Sequence, residues 1–172
     1  MLDYFDELEL SLCLRINALS RQLGLRRFFT AVSRLGDWPA YAIVGVACAA
    51  VLEEAGLRFA LQSVATAGIG IVVYRSLKHR LVRERPYVRH HVIVAGTAAL
   101  DRYSFPSGHT MHAVSFAIIY CWHIPCMAWI MAPFAVLVAA SRVVLGLHYP
   151  TDVVAGAILG AALGLASMSF VT

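Results

Sequence analysis

Apolar segments close to the length of a bilayer recur along most of this chain. Hydrophobic residues make up 60% of the 172 positions and charged residues only 14%, with a mean hydropathy of +0.72, whereas soluble domains are about 25% charged. A helix that crosses a membrane needs about 20 mostly apolar residues. The sequence therefore predicts an all-α integral membrane protein with about five transmembrane helices, at residues 38–52, 56–74, 108–122, 126–145 and 152–170.

The N-terminal segment, residues 1–35, has a different pattern. Leu8, Leu12 and Ile16 recur at helical spacing with arginines in the same segment, which is typical of amphipathic helices that lie in the membrane interface. Acidic residues precede the hydrophobic material, and this is unlike a cleaved signal peptide. We therefore predict a single membrane domain, residues 1–172, in which one or two interfacial helices precede a helical core at 36–172.

Three polar clusters interrupt the apolar sequence, at residues 78–86, 106–109 and 141–152. With five spans, the loops after the second and fourth spans open on one face of the membrane, and the third span starts on that face. An added or missing span would separate the clusters by a bilayer. The span count therefore predicts one composite site.

Cations are prominent in the first and third clusters. Lys78, Arg85 and Arg142 are suited to hold a phosphoryl group, because its three equatorial oxygens need several fixed, charged donors. Arg142 also lies near the end of a predicted span. A charge there is costly, so we take Arg142 to be a functional residue. The neighbouring arginines are interpreted instead as a positively charged flank of the second span: Arg80, Arg83 and Arg89.

The second cluster predicts the start of a helix. Ser107 suits the N-cap position, and Gly108 and His109 then open the first turn, whose free backbone N–H groups bind anions. Gly108 lets a ligand approach the backbone closely. His109 adds a titratable ring at the same place.

The third cluster pairs His148 with Asp152 at the opening of the last span. Four residues apart, the carboxylate is close enough to hold the imidazole in one tautomer, which makes a nucleophilic histidine. The cations already supply the charge that magnesium supplies in kinases, and the nearby carboxylates are few and scattered, so no metal ion or other cofactor is expected. The four cysteines lack zinc-type pairing.

Together the clusters read K-x6-RP, PSGH and SR-x5-H-x3-D, and this set resembles the signature of the type 2 phosphatidic acid phosphatase family. The resemblance implies a helical bundle like that of vanadium haloperoxidases. It further implies that His148 attacks phosphorus to form a phosphohistidine, that Asp152 orients His148, and that His109 protonates the leaving oxygen. The groups implied to stabilise the phosphoryl group are Lys78, Arg85, Arg142, Ser107 and the Gly108 amide.

The activity implied is that of a membrane lipid phosphatase that hydrolyses a phosphate monoester or diphosphate headgroup. Polyprenyl diphosphate is the first expected substrate, followed by phosphatidylglycerol phosphate and phosphatidate. The alternatives are a lipid phosphotransferase that uses the same phosphohistidine and a non-catalytic protein that binds lipid phosphates. The net charge of +4 is concentrated beside a predicted span, which favours an anionic headgroup and the bilayer as partners over nucleic acid.

Two arguments about membrane orientation disagree. All of the Lys and Arg residues except Arg58 fall on the side of the polar clusters or in the N-terminal segment, so the positive-inside rule places the clusters in the cytoplasm. The family resemblance implies a bacterial inner membrane with the site on the extracytoplasmic face. We follow the resemblance, because cations that serve a phosphate site are poor reporters of topology.

Overall fold

The computed structural model describes residues 2–99 and 101–169, with side chains from Glu7 onward, and the regular elements in these ranges are all helical. Short 3-10 turns lie at Ala18–Arg21, Glu53–Ala55 and Pro125–Met127. The all-α prediction is confirmed. The α-helices of the described residues are α1 (Leu2–Asn17), α2 (Leu23–Leu35), α3 (Trp38–Val51), α4 (Gly56–Leu81), α5 (Pro86–Arg89), α6 (Gly108–His123), α7 (Ala128–Val144) and α8 (Pro150–Met168).

Three helical stretches of the described residues are long and apolar enough to cross a membrane: Glu53–Arg89, Pro125–Val144 and Pro150–Met168. Helix α3 is apolar but shorter. Large apolar side chains such as Ile43, Val64 and Trp129 are exposed on the outside of the bundle, as lipid-facing positions require. The count of five spans stays a prediction.

Helix boundaries differ from the predicted spans where polar clusters begin. Helix α4 continues past residue 74 to Leu81, so Lys78 lies within its last turn. The predicted break after residue 122 is present as a 3-10 turn, and α7 starts at Ala128. The predicted end of the fifth span, residue 170, lies outside the described residues.

The N-terminal segment folds as the two amphipathic helices α1 and α2. Leu8 and Leu12 are exposed on α1, whereas Glu9 and Cys13 are buried. At the end of α1, the Asn17 side chain forms hydrogen bonds with the backbone of Val94 and with the carbonyl oxygen of Val144, at 2.9–3.0 Å. Asn17 therefore ties the polar loop, which is the segment 82–107 between α4 and α6, to the end of α7.

Helix α6 is the centre of the bundle and contacts α3, α4, α7 and α8. Gly156, Gly160 and Gly164 recur at four-residue spacing in α8, and this small-residue stripe predicts close packing of the helix within the chain. The stripe faces α6: a Cβ on Gly156 would lie 2.5 Å from the Ser107 carbonyl oxygen, and one on Gly160 would lie 2.3 Å from that of Met111. The two helices therefore approach to backbone contact, as small-residue stripes permit in membranes. The prediction that this stripe packs within the chain is confirmed.

We expect Gly160→Ala to lower the midpoint of thermal unfolding in detergent, because backbone atoms of α6 cannot yield as a flexible side chain can. The cost of such overpacking is about 1–3 kcal/mol. Gly68→Ala in α4 is the matched control, since a Cβ there meets nothing within 4 Å and alanine favours a helix over glycine by about 1 kcal/mol. Equal midpoints for the two variants would contradict close α6–α8 packing.

Candidate active site

Lys78 and Arg85 converge on the carboxylate of Asp101. Lys78 Nζ lies 2.7 and 2.9 Å from the two carboxylate oxygens, and Arg85 Nη2 lies 2.7 Å from one of them. Both cations are buried, whereas the Asp101 side chain is 39% exposed. The two predicted phosphate-binding cations therefore lie together around one anion, and we call this pair the cation cradle.

The residue before Pro86 explains how Arg85 enters the cradle. Proline disfavours helical geometry in the preceding residue, and Arg85 is extended, with φ −75° and ψ 151°. Its side chain crosses to the third cluster, where Nη1 donates to the carbonyl oxygen of Leu147 at 2.7 Å. Arg85 thus joins the first cluster to the turn that carries His148.

His148 lies in a tight turn between α7 and α8. Gly146 has φ +69°, and a Cβ there would lie 2.7 Å from a side-chain carbon of Ile93, so the turn requires glycine for both its conformation and its space. The N–H groups of Leu147 and His148 then donate to the Arg142 carbonyl oxygen at 3.0 and 3.1 Å. The turn therefore fixes the His148 backbone.

The His148 ring is neutral and lies between the cradle and Asp152. Burial lowers its pKa well below the usual value, and the charges of Arg142 and Arg85 lower it further. Nε2 lies 3.2 Å from Arg85 Nη1, while Nδ1 is 3.5 Å from an Asp152 oxygen, longer than a hydrogen bond. The predicted pair is therefore adjacent but not hydrogen bonded. Catalytic contacts are often long before a substrate binds.

Asp152 is held by other donors. Its Oδ2 accepts from the Tyr149 N–H at 2.8 Å, and its Oδ1 accepts from Arg83 Nη1 at 2.8 Å. Arg83 also donates to Thr151 at 2.7 Å and pairs with Glu9 of α1. The interpretation of Arg83 as a flanking charge is therefore wrong, because its side chain binds the carboxylate beside His148.

The chain leaves α4 at Val82, which has left-handed geometry with φ +40°, and residues 82–85 are not helical. The two arginines of this segment bind different carboxylates: Arg83 binds Asp152 and Arg85 binds Asp101. Their sequence spacing contains no signal of this division. Arg80 and Arg89 are exposed, in agreement with their interpretation as flanking charges.

The predicted helix start at the second cluster is confirmed. Ser107 caps α6, and its Oγ accepts from the Thr110 N–H at 3.5 Å. The Ser107 N–H donates to the Asp152 carbonyl oxygen at 3.0 Å, which places the second cluster against the third. The nearest atoms to a Cβ on Gly108 would be those of the Tyr74 ring, at 3.6 Å, which is an ordinary van der Waals distance, so packing does not demand glycine there.

His109 has a carboxylate partner that the sequence analysis did not identify. Its Nε2 lies 2.8 Å from Asp37 Oδ1, in the turn between α2 and α3. Burial raises the pKa of Asp37, although Arg142 and Arg34 partly oppose the shift. The only feature of the sequence that pointed to Asp37 as a site residue was its position just before a predicted span.

Arg142 is fully enclosed by the bundle. Its Nη1 donates to the Ser33 hydroxyl of α2, and its Nε is buried without a hydrogen-bond partner among the described residues. A buried donor without a partner is costly, so this atom is available to an anion. None of the described His, Cys, Asp and Glu side chains form a group of three that could hold a metal ion.

Buried cations, a capped helix start and a histidine beside a carboxylate supply the charge and the nucleophile that phosphoryl transfer needs, and here they lie within an all-helical apolar bundle. The family model described as the PAP2 superfamily matches residues 58–172. The chain therefore belongs to the PAP2 superfamily, and it is an integral membrane lipid phosphatase.

Three similar proteins illustrate the relationship. The chain is 32% identical to a decaprenylphosphoryl-5-phosphoribose phosphatase of Mycolicibacterium smegmatis over 81% of its own length and 75% of the relative's. It is 30% identical to the undecaprenyl-diphosphatase BcrC of Bacillus subtilis over 59% of its own length and about half (52%) of that relative. The crystal structure of a PAP2-type phosphatidylglycerolphosphate phosphatase from Bacillus subtilis aligns with a TM-score of 0.76 and 26% identity, over 97% of this chain and 86% of the other.

Proposed function

We propose that this lipid phosphatase hydrolyses a phosphate monoester or diphosphate headgroup through a phosphohistidine at His148, without a metal ion. The observation that carries the proposal is the buried His148 ring, whose Nε2 lies 3.2 Å from Arg85 of the cation cradle while Nδ1 lies 3.5 Å from an Asp152 oxygen. Polyprenyl diphosphate is the first proposed substrate, because two similar proteins are named for polyprenyl lipids. Phosphatidylglycerol phosphate is the next, named for the similar solved structure, and phosphatidate follows.

In the first step, the Nε2 lone pair of His148 attacks phosphorus and the bond to the leaving oxygen breaks. His109 gives a proton to that oxygen, so the lipid leaves as an alcohol or a monophosphate. Developing charge on the phosphoryl oxygens is neutralised by fixed donors, which is where most of the rate enhancement arises. We assign this role to Lys78, Arg85, Arg142, Ser107 and the Gly108 amide.

In the second step, water attacks phosphorus and passes a proton to His109. The bond between phosphorus and His148 Nε2 breaks, and orthophosphate leaves. Asp152 stabilises the positive charge that the His148 ring carries in the phosphohistidine. The Asp37 carboxylate, 2.8 Å from His109 Nε2, holds the ring of the second histidine in one orientation.

We test the proposal with purified protein in detergent and a panel of lipid phosphates: polyprenyl diphosphate, phosphatidylglycerol phosphate, phosphatidate and a phosphodiester lipid. We expect orthophosphate release that is unchanged by a chelator, because the cradle supplies the charge that a divalent ion would supply. Loss of release on chelation would contradict the metal-free mechanism. Transfer of phosphate to an added alcohol without orthophosphate would support a phosphotransferase.

We also propose that the site faces the extracytoplasmic side of a bacterial inner membrane. Lys78, Arg83, Arg85 and Arg142 are each engaged within the site, so they say little about topology. Cys126 is exposed in the turn between α6 and α7, at the end of α6 opposite Ser107. We expect a membrane-impermeant thiol reagent to label Cys126 only after cells are permeabilised, with Cys126→Ser as control. Labelling in intact cells would reverse the orientation.

A further inference from the structure

The carboxylate of Asp101 stands where the proposed function requires a phosphoryl group. It accepts hydrogen bonds from Lys78 and Arg85 at 2.7–2.9 Å, and these are charge-assisted bonds of the strongest class in proteins. The Asp101 carbonyl oxygen also accepts from Arg85 Nε at 3.0 Å. One residue thus occupies the two cations of the first cluster.

The charge of Asp101 is stabilised by the cradle. Burial alone would raise its pKa, but the hydrogen bonds and charges of Lys78 and Arg85 outweigh burial and lower it. Asp101 is therefore an anion at neutral pH. Its charge also acts on His148 and Arg142, which places it within the electrostatic reach of the proposed nucleophile.

The cations are fixed, whereas the anion is accessible. The side chains of Lys78 and Arg85 are 6% and 2% exposed, compared with 39% for Asp101. Lys78 keeps a second acceptor, the Tyr103 carbonyl oxygen at 2.9 Å, and Arg85 keeps Leu147. Departure of the carboxylate therefore leaves the cradle in place with its charge free for another anion.

We propose that Asp101 is a built-in competitor of the substrate headgroup and determines specificity by charge. The incoming phosphate displaces the carboxylate from Lys78 and Arg85. A phosphate monoester or diphosphate carries about two or more negative charges near neutral pH and exceeds the single charge of Asp101. A phosphodiester carries one charge and gains nothing in the exchange. Asp101 therefore selects monoesters and diphosphates over diesters, and this inference rests on the proposed function of the cradle.

The test compares Asp101→Asn and Asp101→Ala with Glu84→Gln. Glu84 is exposed and lies beside Arg85, so Glu84→Gln removes the same charge from the same loop without emptying the cradle. Binding of inorganic phosphate and of vanadate is measured by titration calorimetry in detergent, and KM and kcat are measured for a monoester and a diester lipid. Thermal unfolding shows that each variant is folded.

We expect both Asp101 variants to bind phosphate and vanadate about tenfold more tightly, which is a typical coupling between competing charged groups. KM for the monoester falls while kcat changes less than twofold, and the preference for monoester over diester narrows. Glu84→Gln changes each quantity less than twofold. Unchanged or weaker phosphate binding in both Asp101 variants would overturn the inference and make Asp101 a support for the cations.

The calorimetric and kinetic results separate this inference from the proposed function. Suppose that the wild type hydrolyses none of the lipids but the Asp101 variants bind phosphate more tightly. This result would support the role of Asp101 as a competitor and contradict the proposed hydrolysis. Hydrolysis by the wild type together with unchanged binding by the variants would support the phosphatase and contradict the competitor.

Discussion

We expect His148→Ala to lower the rate of phosphate release on the order of 10⁴-fold or more, as loss of a nucleophile does in other covalent mechanisms. His148 is 2% exposed, and its Nε2 faces the cradle 3.2 Å from Arg85. His109 does not replace it, because its Nε2 is paired with Asp37. The measurement is orthophosphate release from the substrate that the wild type hydrolyses best.

Reactions with lipid that carries ³²P in the transferred phosphoryl group, quenched in alkaline detergent, add a second readout for His148. The wild type is expected to yield a labelled protein whose phosphate is lost in acid and retained in alkali, as a phosphorus–nitrogen bond requires, and His148→Ala is expected to yield none. His91→Ala is the control, since His91 is an exposed histidine of the adjacent loop. A labelled phosphoprotein formed by His148→Ala would refute the assignment of the nucleophile.

Low pH affects this nucleophile less than an exposed histidine. The pKa of His148 is lowered by burial and by neighbouring arginines, so the neutral ring persists as the pH falls through the range in which an exposed histidine titrates. His148 protonation is therefore not expected to reduce kcat/KM between pH 7 and about pH 6, near the reference pKa of histidine.

We expect Arg83→Met to reduce both activity and stability. The change leaves Asp152 and Glu9 as buried carboxylates without their shared cation, at a cost of about 1–3 kcal/mol. Without that cation Asp152 loses the donor that fixes it beside His148, and orienting partners of this kind contribute about 10–100-fold to activity. The measurements are the thermal unfolding midpoint and kcat/KM.

Arg80→Met is the matched control for Arg83→Met. Arg80 lies three residues earlier in the same basic cluster, is exposed, and is expected to change neither quantity. Combining Arg83→Met with Glu9→Gln removes one of the two unpaired carboxylates, so stability is expected to recover in part while activity stays low. Equal behaviour of the Arg80 and Arg83 variants would show that Arg83 is only a flanking charge.

Local patterns were sufficient for the helices and for much of the site. Apolar runs predicted α3, α4, α6, α7 and α8 to within a few residues, apart from the extra two turns of α4. Ser107 was recognisable as a cap because its side chain and the following turn are neighbours in sequence. The glycine stripe predicted a close helix contact because four-residue spacing places all three glycines on one face.

The partners of the site residues were not available from the sequence. Asp37, Asp101 and Glu9 are separated from the groups they bind by 72, 16–23 and 74–142 residues. Asp101 shares the polar loop with only one other acidic residue, Glu84, which was a weak signal. No local pattern relates an acid to a cation at such separations.

The sequence by itself determined that this chain is an apolar helical membrane protein of the PAP2 superfamily with three polar clusters on one side, because hydropathy, capping and motif spacing act over short stretches. Only the tertiary structure decided which carboxylate each cation binds. Arg83 binds Asp152 and Lys78 binds Asp101, because the close approach of α6 to α8 and the course of the polar loop set these distances. Charge pairing depends on distance in space and on burial, and neither quantity can be read from short stretches of the sequence.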